Sequence, residues 1–379
     1  MKKAHFTSIQ QLRHRLHREP ELSGEEKSTA RTIADFFGGL SHFKVLKSLG
    51  GHGLALIHES STAGPTSMVR CELDGLPIAE TGSPSYSSQH PGQSHSCGHD
   101  GHMAIVAGLG LQLQDSPIQK GRVVLLYQAA EETGEGAEKI INDPKYSKIK
   151  SDYAFALHNL PGYERSQIIL KKGTFAAASK GIIIGLSGKT SHAAHPEEGI
   201  SPSITLAKLM VGMEAIPKSL EEFSMITVVH AWMGERSFGT SPGEARLLAT
   251  LRAYDNPSIQ RLSHYIEKLV ELLAKEAGLS YTIDYTEEFE ATSNEPEAWQ
   301  IVNEAAKSLK LKTSHIRNPF RWSEDFGRFS AGTKTMMFGL GAGKKQAPLH
   351  HGDYDFPDEI MKTGVDLFEK TIRSLHGGS

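Results

Sequence analysis

Only two cysteines, Cys71 and Cys97, occur in 379 residues, so a disulfide scaffold is excluded by count. In a reducing compartment both stay as thiols, which leaves Cys97 available as a thiolate. Charge of one sign is lacking too. The 41 basic residues stand against 44 acidic ones, a net charge of -3, which gives no electrostatic reason to expect nucleic acid or an anionic membrane as partner. Long apolar runs are missing. Met1-Lys2-Lys3-Ala4-His5-Phe6-Thr7 has basic residues but no apolar stretch behind them, so no signal peptide or spanning segment is readable and a cytoplasmic location is expected. Three chemical signatures are absent as well. Gly50-Gly51-His52-Gly53 lacks the rest of a dinucleotide fingerprint, and there is neither a phosphate loop nor a Gly-x-Ser-x-Gly elbow. Nicotinamide, nucleotide-hydrolase and serine-hydrolase readings therefore have no anchor.

What is present divides the chain. Its length exceeds one ordinary core and favours two domains of unequal size. Residues 6–18 and 24–39 read as helices, the second opening near Ser23 with Glu25 and Glu26 in its first turn. His14 and His17 fall in the first, a basic helix whose expected face is solvated. Apolar runs at Gly53 to Ile57, Met68 to Leu73, Val123 to Tyr127 and Tyr153 to Leu157 read as strands, with a helix from about His102 to Leu113 among them. Such alternation predicts a mostly parallel sheet covered on both faces, with ligands at the carboxyl ends of its strands. After Thr174 the pattern becomes strand-helix-strand twice, through Gly181 to Leu186, Ile204 to Ile216, Met225 to Val229, Ala245 to Leu251, Ile259 to Ala277 and Tyr281 to Tyr285. That is the ferredoxin-like arrangement. Helix near Glu297 to Ser308, strand at Thr335 to Phe338 and a closing helix from Glu359 to Leu375 follow. The expected fold class is α/β with two domains: a large α/β domain over residues 1–178 and 290–379, interrupted by a ferredoxin-like α+β domain over 179–289.

Ser96-Cys97-Gly98-His99-Asp100-Gly101-His102 packs a thiol, an acid and two imidazoles into seven residues before a helical apolar pattern. Cys and His bind borderline-soft divalent ions most readily, so Cys97 and His99 are candidate ligands. A lone Cys-x-His pair is more often a buried thiol beside a hydrogen-bonded histidine. Here Asp74, Glu131, Glu132 and His158 each follow or end a strand at the same sheet edge, and His350-His351 lies in a later loop. Adjacent glutamates are commonly a solvated pair. Beside a metal, one can ligate while the other takes a proton from water and returns it to a leaving amine.

The sequence resembles the metal-dependent amidohydrolases of the aminoacylase, hippurate hydrolase and auxin-conjugate hydrolase family over nearly its whole length. The matching segments are His17 to Ser23, Arg70 to Ile78, Cys97 to His102, Gln128 to Gly134, His158 to Pro161, Ser191 to Ala194, Ser323 to Phe326, and Leu349-His350 with Tyr354 to Phe356. The resemblance implies that Cys97, His99, Glu132, His158 and His350 bind two divalent ions per chain, whether zinc, manganese, cobalt or nickel. It also implies Glu131 as general base, Asp74 as an acid that positions metal-site residues, and His192 as a lid histidine that holds the developing oxyanion in a neighbouring active site. The inserted domain is then a lid, through which a homodimer or larger even-numbered homo-oligomer forms.

Departures from the family pattern bear on specificity. Gly239, within Phe238-Gly239-Thr240-Ser241-Pro242, stands where the family commonly carries asparagine. Ser191 replaces a glycine, Glu72 an aspartate, and His351-Gly352 an Asn-Pro or Ser-Pro pair. Arg236, Arg246 and Arg252 are possible partners for a substrate carboxylate. The expected activity is hydrolysis of the amide bond of a small N-acyl amino acid. The alternatives are a dipeptidase or carboxypeptidase on short peptides, or a metal-bound binding protein that has lost turnover.

Overall fold

A computed structural model describes residues 1–378, which fall into two compact units. The larger comprises Met1–Phe175, Thr292–Asn318 and the chain from Asp325 onward; the smaller comprises Ala176–Ala291 with Pro319–Glu324. The last of these segments lies outside the inserted stretch drawn from periodicity.

In the larger unit eight strands form one sheet, in the order Lys44–Leu49, Gly53–Glu59, Arg122–Gln128, Thr66–Glu72, Tyr153–Pro161, Lys334–Gly343, Ile168–Leu170 and Thr313–His315. The four strands from Arg122–Gln128 to Lys334–Gly343 run parallel. The sheet as a whole is mixed: the expected parallel pairing holds for its four central strands, and antiparallel pairs adjoin them on both sides. Gly50 and Gly51, both at positive φ, turn Lys44–Leu49 back on Gly53–Glu59, and a hairpin can pair only antiparallel. Gly53–Glu59 then pairs antiparallel with Arg122–Gln128, and Ile168–Leu170 with Lys334–Gly343. The glycine-rich stretch is thus a turn.

Helix His99–Asp115 is apolar all round and buried along most of its length, packed against Lys3–Arg18 and Met361–His376. Its N-terminus faces the carboxyl end of the parallel strands, so the core places the Cys97–His102 stretch there. Helix Lys3–Arg18 overturns the solvated-face reading of His17, which is buried: Nδ1 lies 2.8 Å from Asp100 Oδ2 and Nε2 3.2 Å from Glu80 Oε1. Burial lowers its pKa, but the bonds to Asp100 and Glu80 prevail and raise it to about 9. Both partners are remote in sequence, so local pattern could not show them.

The smaller unit has its own core and a four-stranded antiparallel sheet, ordered Ser224–Met233, Glu244–Ala253, Ala178–Ser187, Ser280–Phe289. With helices Ser203–Ala215 and Asn256–Ala277 in the crossovers, this is the ferredoxin-like topology. The longer helix is bounded in sequence: Asp255 caps it by accepting from Ser258 N at 2.7 Å, and Gly278 at φ 67 ends it. Ile259, Leu262, Ile266, Val270 and Leu273 line its buried side.

Candidate metal centre

Gly98 makes the turn on which the site depends. At φ 89 it opens helix His99–Asp115, and a Cβ there would lie 2.5 Å from Asn159 Nδ2. The turn brings the side chains of Cys97 and His99, one on each side of it, to one cluster. Asp74 and the Glu131-Glu132 pair come from the loops after Thr66–Glu72 and Arg122–Gln128. His158 sits within Tyr153–Pro161, a strand longer than its apolar run, and His350 lies in the loop after Lys334–Gly343.

The donor atoms meet in overlapping groups. Cys97, His99 and His158 lie within 4.8 Å of one another, as do Cys97, Glu132 and His350, and also His99, Glu131 and Glu132. Hydrogen bonds fix which ring nitrogen of each buried histidine is presented. His99 Nδ1 donates to the Asp74 carbonyl at 2.8 Å, so its Nε2 lone pair faces inward, 3.9 Å from Glu131 Oε2 and 3.8 Å from Glu132 Oε1. That buried Nε2 has no hydrogen-bond partner among the described residues. A lone pair directed at two carboxylates is repulsive unless a positive charge stands between them. Without a metal that charge is a proton: burial lowers the His99 pKa, but the bond to Asp74 and the charges of Glu72 and Asp74 raise it to about 10. A divalent ion satisfies the same field, so the residues present fit one.

His158 Nδ1 donates to the Asn159 carbonyl at 2.8 Å, which leaves Nε2 facing Cys97 Sγ at 3.5 Å. Burial and the neighbouring His102 push its pKa down to about 3, so the ring is neutral, the form that ligates. His350 is half-exposed, with Nε2 3.7 Å from Glu132 Oε1, and its backbone N–H donates to the Ser96 carbonyl at 3.0 Å. Asp74 accepts from Ser23 Oγ at 2.7 Å and from Glu132 N at 2.9 Å, so one buried carboxylate holds the Glu132 backbone while its own carbonyl orients His99. Burial pushes the Asp74 pKa up, but the His99 bond and charge outweigh it and the group stays ionised.

Ala130 and His350 adopt the left-handed conformation, at φ 53 and 62, and both adjoin the cluster. Buried Glu26 stabilises the first by accepting from Ala130 N at 2.7 Å. The sequence pattern gives Glu26 only a helix-dipole role. It gives none to Arg70, His102, Asn159 or Asp325, although all four lie in the motif segments.

Asp74, Cys97, His99, Glu131, Glu132, His158 and His350 are thus brought together in the larger unit. His192, Arg236, Arg246 and Arg252 belong to the smaller one. His192 is exposed and its Nδ1 accepts from Ala194 N at 3.0 Å, which puts the ring proton on Nε2. Arg252 donates to the Arg321 carbonyl at 2.8 Å and to Ser323 Oγ at 3.2 Å, while Arg236 and Arg246 are exposed.

Comparison with known proteins agrees with this chemistry. The chain is 27% identical over 366 residues to the hippurate hydrolase of Campylobacter jejuni, covering 96% of this chain and 95% of that one. It is 26% identical over 367 residues to the N-acetyldiaminopimelate deacetylase of Exiguobacterium sibiricum, covering 96% and 98%. Its fold superimposes with a TM-score of 0.84 on the Bacillus subtilis YXEP protein, described as a dinuclear metal binding peptidase, at 22% identity and 98% coverage of both chains. No described helix is long and apolar enough to cross a membrane. The profile of peptidase family M20/M25/M40 matches residues 68–374, and the chain belongs to that family of amide-bond hydrolases.

Proposed function

We propose that this protein hydrolyses the amide bond of N-acyl amino acids, releasing a carboxylic acid and an amino acid. The observation that carries the reading is the pairing at the strand end: Glu132 joins Cys97 and His350 in one donor group, while its buried neighbour Glu131 reaches the same cluster beside His99. Cys97, His99, Glu132, His158 and His350 would hold two divalent ions, which when bound lower the pKa of water and polarise a carbonyl.

Glu131 takes a proton from the attacking water as its oxygen bonds to the acyl carbon. When the carbon–nitrogen bond breaks, Glu131 returns that proton to the departing nitrogen, so the carboxyl ends ionised again. Asp74 holds the His99 tautomer throughout. His192, with its proton on Nε2, is the oxyanion donor in this reading, and the arginines of the smaller unit are the partners for the amino-acid carboxylate. Gly239 offers no side-chain amide, so that recognition rests on arginine and backbone groups.

Association through the smaller unit, as a homodimer or larger even-numbered oligomer, is part of the proposal. Its support is the edge strand Ser224–Met233, which exposes Val229, Trp232 and Met233. A cytoplasmic site of action is likewise part of the proposal. The peptidase described for the superimposed fold supports a second reading, hydrolysis of short peptides. To separate them, protein loaded separately with zinc, manganese, cobalt or nickel is incubated with N-acyl amino acids and dipeptides while free amine is followed. Turnover of acyl amino acids above dipeptides supports the proposal, and the reverse order replaces it with the peptidase reading.

A further inference from the structure

Arg70, Glu72, His102 and Asp325 are charged or titratable side chains near the centre, all at most 1% exposed, that have no part in the chemistry above. Burying so much charge is costly unless each member is paired and bonded. Here it is, and the bonds form a branched chain with Arg70 at its fork.

On one branch Arg70 Nη2 donates to Asp325 Oδ1 at 2.6 Å and its Nε to Gln128 Oε1 at 3.0 Å. Gln128 Nε2 donates to both Asp325 oxygens, at 2.8 and 2.6 Å, and Ala137 N donates to Oδ2 at 2.8 Å. The Asp325 side chain is thereby fixed to the end of strand Arg122–Gln128 and to the first turn of helix Gly136–Ile141. Its own backbone N–H donates to Glu131 Oε1 at 3.4 Å.

On the other branch Arg70 Nη1 pairs with Glu72 Oε1, and Glu72 Oε2 accepts from His102 Nδ1 at 2.7 Å. His102 Nε2 then accepts from Asn159 N at 3.2 Å and from Asn159 Nδ2 at 3.0 Å. Asn159 follows His158, receives the Nδ1–H of that ring on its carbonyl, and donates to the Cys97 carbonyl at 2.7 Å.

We infer that Arg70 is a positioning residue whose two arms serve different ends of the site: Asp325 places the carboxylate of Glu131, and Glu72 with His102 and Asn159 places Cys97 and His158. The inference rests on Glu131 being the base and on Cys97 and His158 being ligands. The guanidinium suits the task because its planar fork reaches Gln128, Asp325 and Glu72 from three separate nitrogens, where a lysine offers one.

The two arms predict different defects, which a merely structural role would not separate. Asp325→Asn should lower kcat about 10- to 100-fold while KM and zinc affinity, measured by chelator competition, change less than about threefold. Glu72→Gln should weaken zinc affinity about 10- to 100-fold, and excess zinc should restore much of its kcat. Gln128→Met leaves all charges in place and serves if Asp325→Asn does not fold; it should give a smaller fall in kcat with zinc affinity kept. Circular dichroism and a thermal melt establish that each variant is folded. Parallel loss of kcat and zinc affinity in every variant would overturn the inference, as would kcat within threefold of the parent for both Asp325→Asn and Gln128→Met. Glu131→Gln is assayed alongside: if that variant turns over normally, the assignment of the base has failed, and the comparison of zinc affinities still tests the Glu72 arm.

Discussion

Replacing Gly98 by alanine tests how the site is built, and its cost can be worked from two separable effects. An L-residue held at φ 89 is strained by about 1–2 kcal/mol. The added methyl would also lie 2.5 Å from Asn159 Nδ2 and 3.1 Å from the Phe356 ring, inside van der Waals contact, which adds roughly 1–3 kcal/mol of overpacking. Together these give about 2–5 kcal/mol of destabilisation. Gly24 supplies the control, because it sits at φ 86 and a methyl added there would meet nothing within 4 Å among the described residues, so Gly24→Ala should show the strain alone. The second effect is functional. Asn159 Nδ2 donates to the Cys97 carbonyl and to His102 Nε2, so pushing the amide aside loosens the residue that carries the thiolate. Denaturant unfolding and zinc competition on both variants measure the two effects. If Gly98→Ala is no less stable than Gly24→Ala and binds zinc as the parent does, the turn is not what sets the ligand geometry.

Four further outcomes are expected. Glu131→Gln should keep its metal and lose kcat by at least about 10²- to 10⁴-fold, the usual worth of general acid–base catalysis, whereas Glu132→Ala should lose metal; metal analysis beside kcat distinguishes them. His192→Ala should lower kcat roughly 10²-fold with bound metal unchanged. Mixing that variant with Glu131→Gln, after confirmed subunit exchange, should recover activity if the histidine serves a neighbouring chain, and no recovery would reject the cross-chain role. His17 should make stability pH-dependent: its folded pKa of about 9 lies above the ordinary 6.5, so its contribution is full below about pH 6.5 and fades as pH rises through 9. The difference corresponds to roughly 3 kcal/mol at most, and melts across pH 6 to 10 should lose that slope in His17→Gln.

The side chains proposed as ligands stood out in the sequence because each lies within a short motif, and Glu132 also follows a parallel strand, where sheet topology collects functional groups. The helix Asn256–Ala277 was legible because an apolar stripe runs its length between a capping Asp255 and Gly278. What escaped was set by long-range pairing. Strand Lys44–Leu49 is mostly exposed and carries little apolar pattern, so only its partner across the Gly50-Gly51 turn reveals it. His17 reads as one more basic residue of an exposed helix until the fold brings Asp100 and Glu80 to it. Asp325 has the same history: its motif was visible, but its bonds to Arg70, Gln128 and Ala137 bring together segments far apart in sequence.

These side chains are proposed to form a two-ion centre that cleaves acyl amino acids. Titrating metal-stripped protein with zinc or manganese, while following amine release from N-benzoylglycine and N-acetyl amino acids, tests it most directly. Activity is expected to rise to a plateau near two equivalents per chain. A plateau at one equivalent with full activity, or no amine released from any acyl amino acid at any loading, would contradict it.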